Sequence, residues 1–346
     1  MGPPPDDFPA SLASAVRAGD ARAIARAITL AEEGGPEGSA LLAALAGAVG
    51  RAHRVGVTGP PGVGKSTLVA ALARAWRTQG RRVGIVAVDP TSPFTGGALL
   101  GDRVRMGAHF GDPGVFIRSL ATRGAQGGVS VATHDVADVL DAGGFDPVVV
   151  ETVGVGQGEI AVAGVADTVV VVVAPGHGDG VQAMKGGILE AADLLVVNQA
   201  DRDGAEGLAA ELRAAIELRE VGRHPQVLLT AATTGDGVEA LRTAIDAHRL
   251  AQVDPAGALA DLGNLGRARS GPGASEGLAA RRASRAEARI RDAVDRARSA
   301  AFWAVRAEAL AGWVESVVGG RATVAQAAST LVRDLPSASP PPEPRP

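Results

Sequence analysis

The chain has 346 residues, 46% of them hydrophobic, a formal net charge of -4 and no cysteine. That is enough apolar material for a large core with smaller appendages, and the missing thiols exclude disulfides, thiolate metal sites and cysteine nucleophiles. No global positive field draws the chain to nucleic acid or an anionic membrane, so neither is an expected partner and an acidic phosphate ligand has to be met locally.

The opening MGPPPDDFPA has no basic or long apolar segment, and the longest apolar runs are of strand length, so cytoplasm is the expected compartment. Residues 1–50 read as an N-terminal helical arm, alanine-rich from Leu12 to Ala48 with a break at Gly34 to Gly38. Over 51–250, the runs RVGVTG, RVGIVAVDP, VFIRSL, PVVVETVG, TVVVVVAP, LLVVNQAD and QVLLTAA alternate with amphipathic stretches. Continuous apolar strands of this kind predict a mainly parallel α/β sheet covered on both faces. Residues 251–275 read as a Gly/Ala/Pro-rich linker. Residues 276–335 read as helical, with Ile290, Val294, Ala301, Val305 and Trp313 spaced for one face, and 336–346 (PSASPPPEPRP) as a disordered tail. Phe302, Trp303 and Trp313 read as packing residues. The arginines from Arg281 to Arg298 alternate with acids and alanines, which predicts a solvated helix face.

GPPGVGKST (Gly59, Pro60, Pro61, Gly62, Val63, Gly64, Lys65, Ser66, Thr67) fits G-x-x-x-x-G-K-[ST] between a predicted strand and a predicted helix. The glycines allow backbone N–H groups to close around phosphates at a helix N-terminus. Lys65 is placed to reach the β and γ phosphates, and Ser66 to give its hydroxyl to Mg²⁺. Lys65 and Lys185 are the only lysines among 34 Lys and Arg residues, which marks both as positions where a compact point charge is wanted over a planar guanidinium.

Asp89 and Glu151 each close a predicted strand, at the sheet edge where such folds bind ligands, and either is a candidate Mg²⁺ ligand. The segment ETVGVGQ, with Gly154, Gly156 and Gln157, resembles the γ-phosphate-sensing segment of GTPases. NQAD (Asn198 to Asp201) closes a later strand and resembles the guanine-specifying N-K-x-D, in which an aspartate accepts hydrogen bonds from guanine N1 and its exocyclic amine. Gln199 stands where a lysine stem usually covers the base. Thr230, Ala231 and Ala232, after the last strand, lie where a further loop would touch the base.

Together VAVDPTSPFTGGALLGDRVRM, ETVGVGQGEIAVA and APGHGDGVQAMKGGILEAADLLVVNQAD resemble the MeaB/ArgK group of methylmalonyl-CoA mutase-associated GTPases. The resemblance implies a P-loop NTPase of the SIMIBI type with flanking N- and C-terminal helical extensions. It further implies a homodimeric GTPase with GTP as substrate and Mg²⁺ as cofactor. Such proteins accompany an adenosylcobalamin-dependent acyl-CoA mutase, gate delivery of its cofactor and protect it. Asp89 and Asp102 match Mg²⁺-linked positions, and Glu151 the acidic residue of the second switch. Lys185 matches a lysine that swings to the nucleotide when the partner is engaged. Arg105 is a candidate cation for transition-state charge, so Lys65, Lys185, Arg105 and Gln157 form the candidate catalytic set. TSPFTGG, Lys185-Gly186 and NQAD depart from the group's S-S-T-R-T-G-G, paired lysines and NKAD. A nickel-chaperone-like GTPase and a P-loop kinase share the fold class, but the six histidines are scattered and no acceptor site or catalytic base for a kinase is apparent.

Overall fold

Each of the seven β-branched runs forms a strand in the structure, a computed structural model that describes residues 8–89, 111–121, 131–152, 161–176, 188–218, 224–253 and 278–318, with 323, 326, 330 and 331. Helices α1 (Phe8–Arg17), α2 (Ala21–Glu33) and α3 (Gly35–Leu45) lead into β1 (Arg54–Thr58), α4 (Lys65–Thr78), β2 (Val83–Asp89) and β3 (Val115–Ala121). Next come α5 (Val131–Ala142), β4 (Val148–Thr152), β5 (Thr168–Val173), the single turn α6 (Ile188–Ala191) and β6 (Leu194–Val197). The sheet is completed by α7 (Ala205–Glu217), β7 (Gln226–Leu229) and α8 (Val238–Val253), after which come α9 (Leu278–Ala304) and α10 (Ala307–Val318). The strands form one sheet in the order β3-β2-β4-β1-β5-β6-β7, and every neighbouring pair is parallel.

Burial on both faces explains the unbroken apolar runs. Val169, Val171 and Val173 of β5 face a core shared with α2, α5 and α7, whereas Val170 and Val172 belong to a second core with Leu68, Leu72 and Trp76 of α4 and Leu241 and Ile245 of α8. The three N-terminal helices bury Ile24, Ile28, Leu41 and Leu45 completely in the first of these cores, at about 1.5 to 3 kcal/mol per side chain. The break after Glu33 falls within the predicted stretch, but a second one, at Ala18 to Asp20 with Gly19 at φ 80°, was not predicted. There Asp20 caps α2 by accepting the Ala23 N–H at 2.7 Å.

Two compact units divide the chain, residues 1–285 and 286–346. In the second, Phe302 and Trp303 meet edge to face at 4.8 Å, Arg306 lies over the Phe302 ring, and Ile290, Val294, Val305 and Val314 are exposed. No helix among the described residues is long and apolar enough to cross a membrane.

At the amino edge of the sheet the structure corrects the expectation of a solvated arginine face for Arg281, Arg282 and Arg285, while Arg291 and Arg298 are exposed. Arg281 pairs with Asp193 at 3.0 Å and Arg285 with Asp167, both carboxylates being almost wholly buried where β6 and β5 begin. Alternating arginine and acid looks solvated in sequence because the acids that matter lie more than 80 residues away in the chain. Burial would raise both carboxyls. At Asp193 it is outweighed by His248 and Arg281, and at Asp167 by Arg285, the Arg54 N–H and Arg282, so both are held below the usual carboxylate range.

Beside them the Thr168 hydroxyl lies 2.7 Å from both His53 Nε2 and His248 Nδ1. Burial pulls the His53 pKa from 6.5 to about 4, against a smaller upward pull from Asp167. The unfolded chain therefore binds this proton first as pH falls. Stability should be full above about pH 6.5, decline by about 3 kcal/mol towards pH 4 and then lose nothing more from this group. Chemical denaturation at pH 7.5, 6, 5 and 4 should show that decline, and His53→Gln should flatten it.

Candidate nucleotide site

Strand register sets the site. β1 pairs Val57 with Glu151 of β4 and Thr58 with Val171 of β5, so the loop from Gly59 to Gly64 leaves the carboxyl edge between two central strands. Gly59 has φ 140°, and a Cβ there would come within 2.0 Å of the Val172 carbonyl oxygen, so only glycine passes between the strands. Gly64, at φ 90°, precedes the first residue of α4, and its Cβ would sit 2.6 Å from Asn198 Nδ2. The helix N-terminus then presents its N–H groups to the hollow of the loop.

Lys65 is buried, and its Nζ donates to the carbonyls of Gly59 at 2.8 Å and Pro60 at 2.9 Å. The Ser66 hydroxyl donates to Glu151 Oε1 at 2.6 Å, and both residues are buried. Behind them Thr152 donates to the Thr58 hydroxyl at 2.8 Å, tying the ends of β4 and β1 together. Sequence reasoning missed this pair. Its signal is a threonine closing each of two strands whose neighbouring residues define the site.

The donor set fits Mg²⁺ in kind. A hydroxyl and a carboxylate are hard oxygen ligands, and an octahedral ion at about 2.1 Å from each would hold neighbouring oxygens about 3 Å apart, a small opening from their present contact. Asp89 ends β2 one residue beyond the Val88–Thr152 pair, at the same edge. Its side chain lies outside the described residues, as do Asp102, Arg105, Gly154, Gln157 and Lys185.

The base side is bound to the phosphate side. Asn198 donates through Nδ2 to the Val63 carbonyl at 2.8 Å, while its Oδ1 accepts from the Thr230 hydroxyl at 3.0 Å and the Ala232 N–H at 3.2 Å. Ala231 bridges to Asp236 and so shapes the turn from Thr230 to Ala232. Gln199, at φ 58°, donates through Nε2 to the Gly62 carbonyl at 3.1 Å. Asp201 is exposed in the loop before α7. Lys65, Ser66, Glu151, Asn198, Thr230 and Ala232 thus lie together around the loop, and Gln199 makes a contact that the sequence did not reveal.

The family model described as methylmalonyl Co-A mutase-associated GTPase MeaB matches residues 24–263. The chain belongs to the MeaB family. A Pyrococcus horikoshii protein bearing a GTPase name is 51% identical over 239 residues, covering 68% of this chain and 75% of its own length. The mitochondrial methylmalonic aciduria type A homolog of Mus musculus is 41% identical over 192 residues, 54% of this chain and 46% of that protein. Among solved structures, an LAO/AO transport system kinase superposes with a TM-score of 0.65 over 96% of this chain and 99% of its own, at 23% identity, a likeness of fold. This MeaB-family chain therefore has the P-loop NTPase fold, and several of its relatives are named GTPases.

Proposed function

We propose that the chain hydrolyses GTP to GDP and phosphate, slowly by itself and faster when bound to an adenosylcobalamin-dependent acyl-CoA mutase, methylmalonyl-CoA mutase or a close relative. In this reading it gates delivery of the mutase's cofactor and protects the enzyme. The observation that carries the catalytic part is the contact of Ser66 with Glu151 beside Lys65, a cation and two hard oxygen ligands meeting where the phosphate loop enters its helix. The family description and the name of the mouse relative support the mutase as partner.

Water adds to the γ phosphorus as the bond to the β–γ bridging oxygen breaks, and the water's proton ends on the released phosphate. Loop N–H groups and Lys65 bind the β and γ oxygens, and Lys65 exchanges its two carbonyl contacts for theirs. Ser66 and Glu151, with Asp89 and Asp102, would hold Mg²⁺, which would offset the negative charge of the phosphate oxygens. Gln157, Arg105 and Lys185 are the candidates for orienting water and for supplying positive charge in the transition state, Lys185 only when the partner is engaged. The exposed apolar residues of α9 and α10 are the proposed homodimer surface.

Asp201 sets the base. Guanine offers two N–H donors to its carboxylate, whereas xanthine offers one donor and one acceptor, the complement of an asparagine amide. Asp201→Asn should weaken GTP binding about 100-fold and make XTP the preferred substrate. Hydrolysis of GTP, ATP and XTP, with and without a cognate mutase, tests the whole reading. Equal use of ATP and GTP by the unmodified chain would sink the guanine assignment, and absence of stimulation would sink the partner.

A further inference from the structure

Two consecutive side-chain amides grip two consecutive carbonyls of the phosphate loop: Gln199 Nε2 holds Gly62 at 3.1 Å and Asn198 Nδ2 holds Val63 at 2.8 Å. A trans peptide is planar, and its C=O and N–H point in opposite directions. The only cis bond among the described residues is Asp146–Pro147, so both of these peptides are trans. Fixing the Gly62 carbonyl towards Gln199 therefore aims the Val63 N–H the other way, and fixing the Val63 carbonyl aims the Gly64 N–H. Neither N–H has a hydrogen-bond partner among the described residues, although Val63 is fully buried. An unpaired buried N–H costs about 1 to 3 kcal/mol and calls for an acceptor from elsewhere.

We infer that Gln199 is a positioning residue for the polyphosphate, and that the segment expected to read the base also orients the peptide planes that bind phosphate. The inference rests on the nucleotide reading above. Its backbone supports it: Gln199 is the only non-glycine residue among those described with a positive φ, a conformation of moderate cost that swings its amide onto the loop. Because the amide is neutral, it acts by holding the carbonyl and adds no charge of its own. Among the described residues the buried acceptor end, Oε1, has no donor, and the Nε2 contact with Gly62 carries the effect.

The test compares GDP with guanosine, which lacks every phosphate. Gln199→Met keeps the length and removes the donor, and Gln199→Ala is a second donor-free variant. Both should weaken GDP binding about fivefold while leaving guanosine binding, read from NMR shift titration, unchanged. Gln199→Lys restores a donor to the Gly62 carbonyl and should return GDP affinity to the original value or better. Equal losses for GDP and guanosine in the donor-free variants would assign Gln199 to the base and overturn the inference. So would unchanged GDP binding. A wild-type chain that bound GDP no better than guanosine would instead sink the phosphate-loop reading itself, a failure visible before any variant is made.

Discussion

Lys65→Ala is expected to lower GTP hydrolysis on the order of 10³-fold, the scale on which a preorganised charge or donor stabilises a transferring phosphoryl group. The structure holds the Lys65 ammonium in a buried position against the carbonyls of Gly59 and Pro60, so its stem is already laid across the loop's hollow and little reorganisation precedes phosphate contact. Lys65→Arg should fail almost as badly, because a planar fork cannot occupy a space bounded by two loop carbonyls at 2.8 and 2.9 Å. The loss should fall on kcat at least as much as on KM, since charge on the γ oxygens is redistributed in the transition state. Single-turnover hydrolysis, with thermal midpoints taken to show that the variants remain folded, decides the matter. A rate within tenfold of the original would mean that phosphate chemistry happens elsewhere.

How far the sequence foretold this site depends on where each signal lies in the chain. The seven strands were legible because a parallel sheet covered on both faces demands β-branched residues at every position, as TVVVVV in β5 shows. The phosphate loop was legible because Gly59 and Gly64, both at positive φ, stand with Lys65 and Ser66 in one nine-residue stretch. Glu151 could be placed because it stands one residue before the end of a strand, and its contact with Ser66 follows from β1 and β4 being neighbours. Contacts joining distant segments left no local trace. Gln199 read as a poorer cover for the base, yet its amide bonds to Gly62, 137 residues earlier. The break at Ala18 to Asp20 did leave a local trace, a glycine at positive φ followed by the capping Asp20, which the alanine-rich pattern on either side outweighed. Arg281 and Arg285 were misread for a related reason, since charge alternation along a helix says nothing about a buried carboxylate on another element.

That last contact yields the second large effect. Arg285→Ala should destabilise the unit formed by residues 1–285 by about 3 to 5 kcal/mol, the cost of removing one partner from a buried ion pair. Asp167 is 1% exposed, accepts the Arg54 N–H at 3.0 Å where β1 begins and pairs with Arg285, which also donates to the Val165 carbonyl. Without the guanidinium, a carboxylate stays in the protein interior with only that N–H and the longer Arg282 contact at 3.4 Å to stabilise it. Its depressed pKa should then rise towards and beyond the ordinary range. In the original chain the Asp167 and Asp193 contributions are present above about pH 4 and are lost as pH falls further through the depressed folded values. In Arg285→Ala the Asp167 share of that acid dependence should be lost and, once its pKa exceeds the ordinary value, reverse in sign, with stability rising as pH falls. Asp167→Asn combined with Arg285→Ala removes both charges and should cost clearly less than the sum of the same two single changes, because no lone buried charge remains. Urea denaturation of the two single variants and the double variant at pH 7 measures this directly, and strictly additive losses would mean that the pair is not coupled.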